Sequence, residues 1–248
     1  MINKKSIFLT GVSGQIGCAL IKVIDFENFN VIGVDIEEPK NPHPKVEYII
    51  YDVNNLEKKE IIYNSFRKEK KPIDILINNV GVSVFSDFMD RSEEEFDYVL
   101  NTNLKSVFFE IKNYLRLFDA NNQSSGKIIN IGSIFGSVSS DERNYIDLER
   151  KSPECYGASK AGLIQMTKYF AAHLAKKNIS VNCVSPGGIY NKNKPQGPKF
   201  IKKYSEKVPF ERMANVDEVV ELIYLIIKLK SNYMTGQNIS IDGGLTAW

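Results

Sequence analysis

Short, unbroken apolar runs recur along the 248 residues: Ser6–Thr10, Asn30–Asp35, Val46–Tyr51, Ile73–Ile77, Lys127–Gly132, Ile179–Val184 and Ile239–Asp242. They are too continuous for half-exposed strands and too short for core helices. Strands buried on both faces of a parallel sheet are what such runs predict. Between them, apolar positions follow a helical period over Ile16–Phe26, Leu56–Lys70, Ser92–Asn101, Asn103–Asp119, Pro153–Lys177 and Val216–Lys230. Ala161, Ile164, Met166, Phe170, Ala171 and Leu174 give the long helix a wide apolar face. Seven strands alternating with six helices predict an α/β fold: a doubly wound parallel sheet with helices on both faces. No repeat or linker interrupts it, so 1–248 reads as one domain. Two segments break the rhythm, a polar turn at Asn121–Gly126 and a long basic stretch at Asn191–Lys207.

Composition narrows the classes. With 32 Lys+Arg against 30 Asp+Glu there is no basic field of the kind that marks nucleic-acid binding. No apolar run approaches the ~20 residues of a membrane span, and no signal peptide follows the basic tip. Cys18, Cys155 and Cys183 are too few and too scattered for a disulfide framework, which fits a reducing, cytoplasmic setting. His43 and His173, the two histidines, supply neither a metal cage nor a Ser-His-Asp triad, so no metal site is expected.

The first strand leads into Thr10-Gly11-Val12-Ser13-Gly14-Gln15-Ile16-Gly17 and then an amphipathic helix. Glycines at such a junction let the backbone approach a pyrophosphate, which the free N–H groups of the helix attract: a Rossmann-type signal. Asp35 ends the second strand, where a carboxylate binds both ribose hydroxyls of adenosine and repels a 2′-phosphate. Glu37 and Glu38 add repulsion, and positions 12–16 and 36–38 carry no Arg or Lys. NAD(H) is therefore expected over NADP(H).

The strongest chemical signal is Tyr156-Gly157-Ala158-Ser159-Lys160, opening the long helix. Residues at i and i+4 share a helical face. A phenol is a poor base at neutral pH, and an adjacent ammonium favours its phenolate, making a general acid/base for a carbinol proton.

Taken in order, TGxxGxxG at 10–17, Asp52-Val53, Asn78-Asn79-Val80-Gly81, Asn103, Ser133, YGASK, Pro186-Gly187 and the tail at Met234–Gly244 resemble the short-chain dehydrogenase/reductases from Ser6 to about Gly244. The resemblance implies that Tyr156 exchanges a proton with the substrate oxygen, Lys160 assists it and binds the nicotinamide ribose, Ser133 hydrogen-bonds that oxygen, and Asn103 holds a relay water. It implies Gly11, Gly14, Gln15, Ile16 and Gly17 around the pyrophosphate, Asp52 and Val53 at the adenine, and Asn79 and Gly81 near the adenosine ribose. Pro186, Gly187 and Ile189 would line the nicotinamide, with Asn191 where the family often has a Thr to the carboxamide. Small-molecule substrates and a homotetramer, or failing that a dimer, are implied as well. Val107, Phe108, Phe109, Met166 and Phe170 are candidate interface residues on two long helices.

Three features depart from the family pattern. The glycine spacing is that of its longer, two-domain branch, although 248 residues leave no room for a second unit. The interval from Ser133 to Tyr156 is longer than usual, and its extra stretch, 139–153, carries Asp141, Glu142, Arg143, Asp147, Glu149, Arg150 and Lys151. It reads either as a solvated loop or as a selector for a hydroxyl-rich or charged substrate. Similar inserts occur in family members linked to bacterial surface-glycan and flagellin modification. The lid at 191–207 carries Lys192, Lys194, Lys199, Lys202, Lys203 and Lys207, which are either solvated or attract an anion. These features favour an NAD-dependent dehydrogenase of a sugar-derived or other polar or anionic metabolite. A 3-oxoacyl-thioester reductase is the alternative enzyme, and a nucleotide-sensing regulator that has lost catalysis is the alternative outside enzymes.

Overall fold

The computed structural model describes residues 4–145, 151–192 and 196–248. Its strands are β1 (Lys5–Thr10), β2 (Phe29–Asp35), β3 (Val46–Ile50), β4 (Ile75–Asn78), β5 (Gly126–Ile131), β6 (Ile179–Pro186) and β7 (Asn238–Ile241). They form one all-parallel sheet in the order β3-β2-β1-β4-β5-β6-β7. The helices are α1 (Gln15–Val23), α2 (Leu56–Lys68), α3 (Glu93–Leu100), α4 (Ser106–Ala120), α5 (Glu154–Leu174), α6 (Pro198–Ser205) and α7 (Val216–Lys228).

The apolar runs have the predicted cause. β4, β5 and β6 are buried at every residue, because helices cover both faces of the sheet. One core layer joins the sheet to α2, α4 and α5 through Tyr63, Phe66, Ile111, Leu117 and Phe170. The other joins it to α1 and α7 through Leu20, Val219, Ile223 and Ile227. The strand order reverses between β1 and β4, the switch point where α/β sheets open a crevice beyond their carboxyl ends.

The structure differs from the sequence reading in two places that matter. The basic lid is not all loop, since Pro198–Ser205 is helical, with Pro198 at its first turn and Phe200 and Tyr204 buried. The helix read from Asn103 instead begins at Ser106, after a π turn at Asn101–Lys105 that continues directly from α3. Of the charged residues in the insert, Asp147, Glu149 and Arg150 lie outside the described residues, as does Lys194 of the lid.

Candidate active site

A cleft of about 450 Å³ opens at the switch point. Gly11, Gly14, Gln15 and Ile16 form one wall, Asp35, Asp52 and Val53 the far end, and Asn79, Gly81 and Ile189 the facing side. Gly11 has φ +71°, a left-handed conformation that suits glycine, and a Cβ there would come within 2.8 Å of Asn79 Nδ2. Gly17 acts differently from its neighbours. It does not line the cleft, and a Cβ on it would sit 2.2 Å from Gly11 O, so it lets α1 pack against the loop.

The N-terminus of α1 has Gly14 as its cap, no side-chain cap bond and no acidic residue in the first turn. Its N–H groups are left for an anion, which is what a dinucleotide's pyrophosphate requires. The Asp35 carboxylate is held by the N–H groups of Ser13 (2.9 Å) and Ile36 (2.8 Å), and Glu37 lies beside it in the cleft. No Lys or Arg is among the described residues lining this cleft. Asn79 braces the glycine loop, its amide donating to Thr10 O (3.1 Å) and Gly11 O (2.9 Å). Gln15 Nε2 donates to Tyr190 O (2.8 Å), tying the loop to the segment after β6.

A second pocket, of about 230 Å³, holds Ser133, Tyr156 and Gly187. Ser133 follows β5 and caps a short 3₁₀ turn, its Oγ accepting from Phe135 N at 3.2 Å. Tyr156 is half-buried on the first turn of α5. Lys160, one turn on, is buried behind it, with Nζ 5.6 Å from the Tyr156 ring centroid. That ammonium donates to Ile131 O at 2.8 Å and faces Gly81, where a Cβ would lie 3.2 Å from Nζ. Glycine at 81 therefore keeps the approach between the two pockets clear.

Asn103 lines neither pocket and is wholly buried. Its Oδ1 accepts from Val82 N (2.8 Å), and its Nδ2 donates to Val82 O (2.9 Å) and Ser159 Oγ (3.1 Å). Ser159 donates in turn to Tyr156 O at 2.7 Å. Ser159 was visible in YGASK, but nothing in the sequence marked it as the link between Asn103 and the tyrosine. Pro186 is buried in β6, and the Asn191 N–H turns to Gln196 Oε1 (3.4 Å); neither residue is among those lining these two pockets, whereas their neighbours Gly187 and Ile189 are. Burial pushes the Cys155 thiol up, so beside Tyr156 it packs as a protonated side chain.

The remaining walls of the second pocket include Phe85, Phe135, Tyr145, Phe200, Tyr204 and Met213, with polar atoms from Ser83, Ser152 and Gln196. The insert and the lid meet over it. Tyr145 lies 5.0 Å from Phe200 between ring centroids, and Phe200 lies 5.8 Å from Tyr204. Asp141 pairs with Arg143 and Lys207, which together hold its carboxyl well below the usual carboxylate range. Lys203 pairs with Glu206 at 3.6 Å, and Lys151 with Asp87 at 3.3 Å. None of Lys192, Lys199, Lys202, Lys203 and Lys207 lines the pocket.

A crevice shaped for a dinucleotide, opening beside a Ser–Tyr–Lys constellation, defines a nicotinamide-dependent oxidoreductase acting on CH–OH groups. A family model described as enoyl-(acyl carrier protein) reductase matches residues 12–246. The 3-oxoacyl-[acyl-carrier-protein] reductase FabG of Thermotoga maritima is 32% identical over 258 aligned positions, covering 98% of each chain. A short-chain dehydrogenase of Leptospira borgpetersenii, solved with bound NAD+, superposes with a TM-score of 0.91 at 38% identity, over 99% of this chain and 94% of that one. The NADH complex of 4-hydroxyisoleucine dehydrogenase gives 0.85 at 28% identity, over 99% and 100% of the two chains. The chain belongs to the short-chain dehydrogenase/reductase family.

Proposed function

We propose that the protein interconverts a secondary alcohol and a ketone on a compact, uncharged metabolite, with NAD(H) as the hydride carrier. The observation that carries this reading is the placement of Tyr156 and Ser133 on one pocket wall, with the Lys160 ammonium buried behind the phenol and facing Gly81. Bound nicotinamide supplies the hydride chemistry. The chain supplies position and the proton: Tyr156 Oη gives a proton to the ketone oxygen in reduction and takes it back in oxidation. Ser133 Oγ holds the same oxygen, and the Lys160 charge steadies the phenolate. Gly11, Gly14, Ile16 and Gln15 would hold the pyrophosphate, Asp52 and Val53 the adenine, and Asp35 the ribose hydroxyls. Gly187 and Ile189 would stand at the nicotinamide end.

Asp35 and Glu37, with no Lys or Arg among the described residues lining the cleft, favour NAD(H) over NADP(H). Ser83, Ser152 and Gln196 among aromatic walls suit a small hydroxylated molecule such as a sugar derivative; the charges of insert and lid are spent partly on one another. The second reading is a 3-oxoacyl-thioester reductase, favoured by the 30–32% identity to proteins of that name. Three free cysteines accord with a cytoplasmic setting. Phe108 of α4 and Tyr169 of α5 are exposed large rings that suit packing into a homotetramer, with a dimer as the smaller alternative.

The test is NADH oxidation against a panel of 2,3-butanedione, ethyl acetoacetate, dihydroxyacetone and an acetoacetyl thioester. One of the compact ketones is expected to turn over fastest. Tyr156→Phe should cut kcat by at least about 10³-fold, from the general-acid contribution, while NADH still binds by fluorescence titration. Preference for the thioester selects the second reading, and undiminished turnover in Tyr156→Phe refutes the mechanism.

A further inference from the structure

An ion pair that the proposed chemistry does not use lies beneath the adenosine end of the cleft. Lys59 of α2 and Glu110 of α4 meet at 2.8 Å, with side chains 0% and 2% exposed. Taking two charges out of water is costly, and well-packed apolar residues of similar size often serve stability as well or better. The pair does, however, fix a point on α4. Lys59 Nζ also donates to Ser106 O at 2.9 Å, and Tyr51, whose ring lines the cofactor cleft, donates to Glu110 Oε2 at 3.5 Å.

Ser106 closes the π turn. Its N–H reaches back five residues to Asn101 O. In an α-helix that N–H would serve the Thr102 carbonyl. Here Ser106 Oγ donates to Thr102 O instead, at 2.6 Å. From the segment after β3, Asn54 Nδ2 donates to Thr102 Oγ1 at 2.9 Å. The wider register therefore has its own set of side-chain partners. Collapse to a plain α-helix would turn Asn103 by about 100° relative to α4, away from its bonds to Val82 and Ser159. π turns occur mostly as single bulges inside α-helices and are frequent at functional sites.

We infer that Lys59, Glu110 and Ser106 are positioning residues that hold the π register at Asn101–Lys105 and so keep Asn103 joined to Ser159 behind Tyr156. This rests on the roles proposed above for Asn103 and Tyr156, so the test has one arm that needs no turnover. Lys59→Met/Glu110→Leu removes both charges and strands neither. Ser106→Ala removes the hydroxyl, and Ser106→Thr keeps it.

Backbone hydrogen exchange at residues 102–107 is measured in the full chain. In the same samples, kcat and the KM for NADH are measured with whichever ketone of the panel turns over fastest. Exchange at these amides is expected to rise by about tenfold or more in the charge-free double variant and in Ser106→Ala, with Ser106→Thr close to the unmodified protein. In the same two variants kcat should fall at least about tenfold, with the KM for NADH within about threefold and the melting temperature of the double variant unchanged or higher. Should the double variant not fold, Ser106→Ala against Ser106→Thr decides both arms. Unchanged exchange overturns the inference, and so does faster exchange with undiminished kcat. A chain with no NADH-linked turnover at all would refute the proposed function, while the exchange arm would still decide the register.

Discussion

Asp35 lines the end of the cleft where the adenosine is proposed to lie, and its replacement by asparagine tests the proposed NAD(H) preference most directly. The side chain accepts from Ser13 N at 2.9 Å and from Ile36 N at 2.8 Å. Asparagine can keep one of those acceptors while losing the charge, so the loop stays supported. A carboxylate about 5 Å from one unit of phosphate charge, at an effective dielectric of ~20, is worth ~3 kcal/mol of repulsion. Asp35 is only half-buried, and salt screens charges at the cleft mouth. About half of that, ~1.5 kcal/mol, should survive, which corresponds to roughly tenfold better use of NADPH. For NADH, trading charge-assisted bonds to the ribose for neutral ones costs ~1 kcal/mol, about fivefold. Together the kcat/KM ratio of NADH to NADPH should drop roughly 50-fold in Asp35→Asn. Initial rates with each cofactor varied against one ketone measure it, and fluorescence titration separates binding from turnover. Glu37 also lines the cleft and stays charged in this variant, so discrimination should be reduced without reversing. An unmodified enzyme that prefers NADPH, or a variant ratio that moves less than about threefold, would refute the reasoning.

Two other expectations rest on the geometry. Arg212 and the Asn215 N–H hold the Glu218 carboxyl at about 2, against an ordinary value of 4.5. The folded value lies below the unfolded one, so the stabilisation is full above pH 4.5 and disappears as the pH falls through 2. Glu218→Gln should cost about 1 kcal/mol at pH 7, given the capping-box role and side chains about two-fifths exposed; denaturant titrations should show that difference shrinking towards pH 2. For the proposed homotetramer, Phe108→Glu/Tyr169→Glu should lower the mass seen by light scattering to that of a dimer or monomer while leaving the circular dichroism spectrum intact. A mass unchanged by the pair of charges would remove α4 and α5 from the interface.

The parts of this site that were legible in the sequence are those whose chemistry is local. The glycine loop, Asp35 and YGASK each place their residues within one turn or at one strand end, so spacing alone carries geometry. The π turn carries no such mark. Asn101–Lys105 reads as more of the same helix, because the extra residue is held by Lys59, Asn54 and Glu110, which come from other segments or further along the chain. Lys59 sits within LEKKEIIYNSFRK, where one buried lysine cannot be told from its solvated neighbours by pattern. Only the approach of α4 selects it.

The charges of the insert and the lid teach a sharper form of the same lesson. Each segment alone reads two ways, as a solvated surface stretch or as a ligand signal near Tyr156. Folded, Asp141 of the insert takes Lys207 of the lid as well as its neighbour Arg143, and Lys151 turns to Asp87 and Glu142. A charge run attracts a ligand only when no opposite run reaches it first, and chain distance does not reveal that. Beside the Asp141–Lys207 pair, Tyr145 packs tilted against Phe200, and Phe200 stacks on Tyr204, at the wall of the pocket. For the proposed ketone, substrate selection would then fall to the shape of those rings and to the polar side chains of Ser83, Ser152 and Gln196 in the same pocket.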